Sequence, residues 1–179
     1  MLLEHGHQVT VIDTFRHKQP SLMAWCHHPN LTILNSDIRF NYPPIAGFDT
    51  IIPLAALVGA PLCDQERMAT RDTNTVPIEV ICQIARFDQT ILFPMTNSGY
   101  GTGGETECTE DSPLLPVSIY GQSKVEAEKA VLSHPRGISF RFATLFGCSP
   151  RMRLDLLVND FCYRAVKDRS LTLFEGGFR

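Results

Sequence analysis

Short runs of β-branched and apolar residues alternate along the chain with longer stretches of helical period. Residues 8–12 (QVTVI), 31–34 (LTIL), 49–53 (DTIIP), 90–95 (TILFPM) and 138–142 (ISFRF) read as five strands, and 171–174 as a shorter sixth. Between them, 73–86 places Val76, Val80 and Ile84 on one face, 119–132 carries the strong helix formers KVEAEKAVL, and 154–166 continues the period with Leu157, Phe161 and Ala165. Strand and helix in regular alternation predict an α/β domain with a parallel sheet and helices on both sides. Near-continuous apolar strands suit a sheet covered on both faces. No repeat, low-complexity segment or linker interrupts the pattern, so residues 1–179 read as one domain.

Composition narrows the functional classes. The chain is 44% hydrophobic and 20% charged with a formal net charge of −3, and it has no long lysine or arginine run. That offers no broad electrostatic footprint for nucleic acid or an anionic membrane surface. No stretch reaches the roughly 18 apolar residues that span a bilayer, and charge interrupts the opening MLLEH before a signal peptide can form, so a cytoplasmic location is expected. Six scattered cysteines without a C-x-x-C pair read as reduced, buried thiols. The adjacent Cys26, His27 and His28 are poorly placed to converge on one metal ion, and no metal is expected.

The candidate chemistry centres on Tyr120-Gly121-Gln122-Ser123-Lys124. Positions i and i+4 lie one turn apart on a single helix face. A free tyrosine, with a pKa near 10, is a poor base at neutral pH. An ammonium roughly 6 Å away at an effective dielectric of about 20 would favour the phenolate by nearly 3 kcal/mol, enough for proton abstraction to become feasible near pH 7. Alone, Y-x-x-x-K is as readily a tyrosine packed beside a surface lysine. Upstream, the fourth strand runs into Thr96-Asn97-Ser98-Gly99-Tyr100-Gly101, hydroxyl residues and glycines at the carboxyl strand end where open α/β sheets bind ligands. The plain alternative there is a Ser/Asn turn capping the strand. Asp13 closes the first strand, where a carboxylate can take the hydroxyls of an adenosine ribose and repel a 2′-phosphate. Asp37 follows the second strand, and Ala55 and Ala56 follow the third, small enough for a cofactor to lie against the backbone.

In their order and spacing, GHQVTVID, SDIRF, IIPLAALVGAP, TNSGYG, EDSPLLPVSIYGQSKVEAE and RFATLFG resemble the extended short-chain dehydrogenase/reductase family, specifically its NAD-dependent sugar-nucleotide epimerases and dehydratases. The resemblance runs from about residue 2 to residue 179 and implies a Rossmann-like, doubly wound parallel sheet. Gly6 would cap a helix, and no G-x-x-G-x-x-G precedes Asp13, so the first strand, the glycine-rich turn and most of the C-terminal substrate domain are expected to be missing. The substrate region would begin at about residue 148.

The resemblance also implies roles. Tyr120 would be the catalytic acid/base, Lys124 would hold the nicotinamide ribose and lower the tyrosine pKa, and Thr96 would hydrogen-bond the substrate oxygen. Asp13, Asp37, Ile38, Leu54, Ala55 and Ala56 would line the NAD groove together with Tyr120 and Lys124. A nucleotide-sugar substrate would meet Thr96, Asn97, Thr144, Arg151, Arg153, Asn159 and Arg179, guanidinium forks being suited to phosphate oxygens. The family's homodimer forms through helices, here about 65–86 and 118–133, and an apolar outer stripe on them would support it. Asn97 and Ser98 stand where 4,6-dehydratases carry an Asp-Glu pair, and Ser98 stands where UDP-glucuronate decarboxylases carry a Glu. The expected reaction is therefore epimerisation of a nucleotide sugar by hydride abstraction and return. The alternatives are an NAD-dependent reductase or dehydratase of the same family, and a truncated, inactive relative acting as a dimerisation or binding module.

Overall fold

The computed structural model describes residues 1–42, 44–102 and 107–173. Among these, five strands lie where the apolar runs predict them: β1 (Val9–Asp13), β2 (Leu31–Asn35), β3 (Thr50–Ile51), β4 (Thr90–Thr96) and β5 (Gly137–Phe142). The α-helices are α1 (Ala60–Gln65), α2 (Arg67–Asn74), α3 (Val76–Ile84), α4 (Ile119–Ser133) and α5 (Leu157–Lys167). The chain opens on a 3-10 turn, Leu3–His5, closed by Gly6 at φ 80° with its N–H on the Leu3 carbonyl. Glycine tolerates that left-handed cap, as the sequence suggests.

Among the described residues every strand pairing is parallel, and the pairings fall into two groups. β1 lies against β2, in register from Val9 opposite Leu31 to Asp13 opposite Asn35. β4 sits between β3 and β5. The α/β parallel architecture is the expected one, divided rather than continuous.

The core lies between the second sheet and two helices. Ile91, Phe93 and Met95 of β4 pack with Ile78 and Ile81 of α3 and with Val125, Ala127 and Val131 of α4. Each fully buried Ile, Val or Phe contributes about 1.5–3 kcal/mol, so this layer carries most of the stability. The expectation of helices on both faces needs correction here. β4 alternates buried and half-buried positions, and on β5 Ile138, Phe140 and Phe142 remain 45%, 43% and 40% exposed. Among the described residues, the helices cover one face of this sheet.

Three element boundaries also differ. The helix read over 73–86 is split at Thr75 (φ −113°, ψ −62°), with Pro77, which lacks an N–H, in the first turn of α3. The third strand keeps only two paired residues. Residues 171–173 form no strand, and 174 lies outside the described residues. Of the cysteines, all free, only Cys63 is fully buried and Cys82 half-buried, whereas Cys26, Cys108, Cys148 and Cys162 are exposed rather than buried as expected. No helix among the described residues is long and apolar enough to cross a membrane.

Candidate active site

β4 and α4 converge at the carboxyl edge of the second sheet. β4 ends on Thr96, and the chain turns at once into a 3-10 segment, Asn97–Tyr100. The Thr96 hydroxyl accepts from the Ser98 N–H at 3.2 Å and donates to Ser98 Oγ at 3.2 Å, which ties the turn to the strand end. α4 begins beside it. Ser118, extended at φ −101°, caps the helix by accepting from the Gly121 N–H at 3.0 Å. Gly121 permits the approach, because a Cβ there would lie 3.0 Å from Pro116 Cβ and 3.1 Å from the Ser98 carbonyl oxygen. Tyr120, immediately before it, is half-buried with its phenol beside the Thr96 hydroxyl.

The electrostatics of the pair differ from the sequence expectation. Burial, followed by the Cys63 thiol of α1, pushes the Tyr120 pKa above its ordinary value, and the nearby Thr96 hydroxyl pulls the other way. Lys124 is not among the influences on the phenol. It is 5% exposed, and its Nζ lies 3.9 Å from the centroid of the Phe93 ring, drawn back over the β4 surface. Burial lowers its pKa to about 8. The expected lowering of the tyrosine pKa by the lysine is thus corrected: in this structure the ammonium is held by an aromatic face instead.

Sequence reasoning missed the residues that hold this turn of α4. Asn74, 1% exposed, donates to the Leu57 carbonyl at 2.9 Å and to Ser123 Oγ at 3.2 Å, and accepts from the Leu57 N–H at 2.8 Å. Thr75 donates to the Ser123 carbonyl at 3.1 Å, and Ser123 Oγ donates to the Tyr120 carbonyl at 2.8 Å. The break between α2 and α3 therefore sits against the turn that carries Tyr120 and Lys124, and the same asparagine fixes the loop after β3. The one available signal was a polar Asn-Thr pair just before the apolar run that opens α3.

On the expected cofactor side, Asp13 is exposed at the end of β1, with Oδ1 accepting from the Phe15 N–H at 2.7 Å. Leu54 and Ala55 are exposed beyond β3, Leu54 at 70%, and Ala56 is half-buried. An open carboxylate and an uncovered apolar lip at the strand ends fit a ribose and a flat heterocycle. Asp37 is clasped by Arg39 through both carboxylate oxygens at 2.6–3.0 Å, which lowers its pKa, and Ile38 beside it is half-buried.

On the substrate side, Asn97 is exposed and lines a cavity of about 840 Å³ together with Tyr100, Glu128 and Arg141. Thr144 is exposed and Arg151 half-buried, while Arg153 forks onto Asp155 at 2.7 and 2.6 Å. Asn159, 6% exposed, accepts from the Gly147 N–H and donates to the Arg153 carbonyl, both at 3.0 Å, so both ends of its amide brace the chain. Arg179 lies outside the described residues. On the helices expected to form a dimer, Met68, Ile84 and Leu132 are 75%, 50% and 54% exposed. Gln122, Glu126, Lys129 and Ser133 face outward from α4, and Arg67, Arg71 and Asp72 from α2.

A profile of the NAD dependent epimerase/dehydratase family matches residues 1–177. UDP-glucuronic acid decarboxylase 1 of Xenopus tropicalis is 26% identical over 188 residues, covering 98% of this chain and 44% of that protein. UDP-glucose 4-epimerase of Corynebacterium glutamicum is 26% identical over 139 residues, covering 75% and 41%. Among solved structures, UDP-glucuronic acid 4-epimerase from Bacillus cereus in complex with NAD superposes with a TM-score of 0.80 at 20% identity, covering 98% of this chain and 61% of that one. The dTDP-glucose 4,6-dehydratase DesIV from Streptomyces venezuelae gives 0.71 at 22% identity, covering 90% and 53%. The chain spans less than half the length of these two curated relatives.

Proposed function

Because the chain belongs to the NAD-dependent epimerase/dehydratase family, we propose that it forms the nucleotide-binding part of an enzyme that epimerises a nucleotide sugar, with Tyr120 as acid/base. The observation that carries this is the seating of Tyr120 beside the Thr96 hydroxyl at the sheet's carboxyl edge, one turn of α4 from Lys124. NAD bound there would take a hydride from the sugar carbon and return it to the opposite face.

The chain's own residues do the rest. Thr96 holds the reacting hydroxyl against the phenol, and Tyr120 takes its proton and later gives it back. With its pKa raised, Tyr120 is a phenol at neutral pH, so it needs a cation brought close before it can act as base. Lys124 supplies that cation when its side chain leaves Phe93 for the groove, where it would also hold the nicotinamide ribose. Asp13 would bind the adenosine ribose, with Ile38 and Asp37 flanking adenine and Leu54, Ala55 and Ala56 lining the groove. Arg151, Thr144 and Arg153 border the region where a nucleotide diphosphate would lie.

The similar proteins include decarboxylases and dehydratases as well as epimerases. Asn97 and Ser98 favour epimerisation, since neither supplies the carboxylate expected for elimination or decarboxylation. The divided sheet favours a second reading, a binding module without turnover, because the unpaired neighbours β1 and β3 would frame the cofactor loosely. Calorimetric titration with NAD separates the two. Heat of binding, together with turnover lost in Tyr120→Phe while the fold is kept, is the expected result. No heat at millimolar NAD would remove catalysis by this chain, and unchanged turnover in that variant would remove Tyr120 as its base.

A further inference from the structure

Glu128, buried, and Arg141, half-buried, form an ion pair that the proposed chemistry does not use. Glu128 is 2% exposed and stands on α4 one turn beyond Lys124 and two beyond Tyr120. Its Oε1 accepts from Arg141 Nε at 2.9 Å and from Ser139 Oγ at 2.6 Å, and its Oε2 accepts from Arg141 Nη2 at 3.1 Å. Arg141 comes from β5, and its remaining nitrogen reaches further. Nη1 donates to Tyr100 Oη at 3.1 Å and to the Glu110 carbonyl at 2.9 Å. The guanidinium carbon lies 5.2 Å from the centroid of the Tyr100 ring, and Tyr100 Oη donates to the Thr109 carbonyl at 3.0 Å. Tyr100 ends the 3-10 turn that begins immediately after Thr96.

One planar guanidinium therefore joins four pieces of chain: the helix of Tyr120 and Lys124, the strand β5, the turn that follows Thr96, and the segment at 109–110. The pair is weak evidence for stability, because desolvating two charges offsets much of their attraction. What the fork supplies is geometry, since its donors are fixed in one plane and a lysine cannot reproduce them. We propose that Arg141 is a positioning residue, which fixes α4 against the turn after β4 and so sets the placement of the Tyr120 phenol at the Thr96 hydroxyl. This rests on the function proposed above, where that placement matters, but its test needs neither NAD nor turnover.

The test follows the Tyr120 phenol in chain labelled with 13C at tyrosine Cζ, the four tyrosines being assigned by single Tyr→Phe variants. The titratable group facing Tyr120 is Cys63 of α1, and Lys124, one turn along α4, has its Nζ over Phe93; Arg141→Lys leaves both in place and keeps its own charge. Loosening the clamp admits water to the phenol, so its titration midpoint moves down toward that of an ordinary tyrosine. Tyr100→Phe, which deletes one link at a half-buried position, moves Tyr120 the same way by less. A folded Arg141→Lys chain whose Tyr120 titration superimposes on the parent's overturns the proposal. If Arg141→Lys does not fold, Tyr100→Phe decides it, and an unmoved Tyr120 in that variant has the same force. Unchanged turnover in Tyr120→Phe would instead remove the chemistry, so the two failures are told apart.

Discussion

At Lys124, stability and chemistry pull in opposite directions. Below about pH 8 the folded chain holds an ammonium that the unfolded chain leaves in water. Between about 8 and the ordinary 10.5 the unfolded state binds a proton that the folded state does not. Stability therefore rises with pH through that window, and the full penalty applies below it. It amounts to about 3 kcal/mol at most, and the attraction of the Phe93 ring offsets part of it. Lys124→Met should accordingly raise the urea midpoint at pH 7, with the gain shrinking as pH approaches 10.5. A variant less stable than the parent at pH 7 would show that the ring more than compensates burial. The same titration bears on function, because a turnover that needs the ammonium declines as pH rises past about 8.

The first turn of α4 is where an element becomes a site. Ser118→Ala removes the cap on Gly121 N–H and should cost about 1 kcal/mol by denaturant unfolding. Gly121→Ala has a different signature. Alanine gains up to about 1 kcal/mol in helix propensity, but its Cβ must displace Pro116 or the Ser98 carbonyl by a few tenths of an ångström. Stability should change by less than in Ser118→Ala, while turnover falls further, since small displacements at a reacting centre are costly. Equal effects on both would argue against a close α4–turn contact being functional. Elements of this kind were legible in the sequence because their signals are local: KVEAEKAVL for α4, β-branched runs for the strands, and an i, i+4 spacing for the tyrosine and lysine. The contacts that hold α4 were not. Asn74 meets Ser123 across 49 positions and Arg141 meets Glu128 across 13, and no periodicity says which polar side chains of separate elements will meet. The direction taken by Lys124 was hidden for the same reason, since the Phe93 ring that draws it away lies on another element.

For the whole molecule, the two sheets differ in what supports them. β4 lies in a packed layer with α3 and α4, whereas β1 and β2 have no fully buried residue, and β2 leaves Ile33 and Leu34 38% and 40% exposed. Amide exchange should follow that contrast, with β1 and β2 opening far below the global unfolding free energy and the β4 amides exchanging only through it. Uniform protection across both sheets would mean that β1 and β2 are braced by contacts beyond their own pairing. Parallel α/β organisation was readable from the alternation of runs. Which strand edges meet was not, because alternation fixes only the order of strands in the chain. The central claim belongs to this scale too, since it needs β1, β3, β4 and α4 to act together around one ligand. Its most direct measurement uses a nucleotide sugar deuterated at the carbon to be inverted, incubated with the chain and NAD and read by mass spectrometry and NMR. Epimer formed with its deuterium retained, and none formed by Tyr120→Phe, is the predicted result. Epimer carrying hydrogen from solvent at that carbon, or equal conversion by Tyr120→Phe, would contradict hydride abstraction and return at this site.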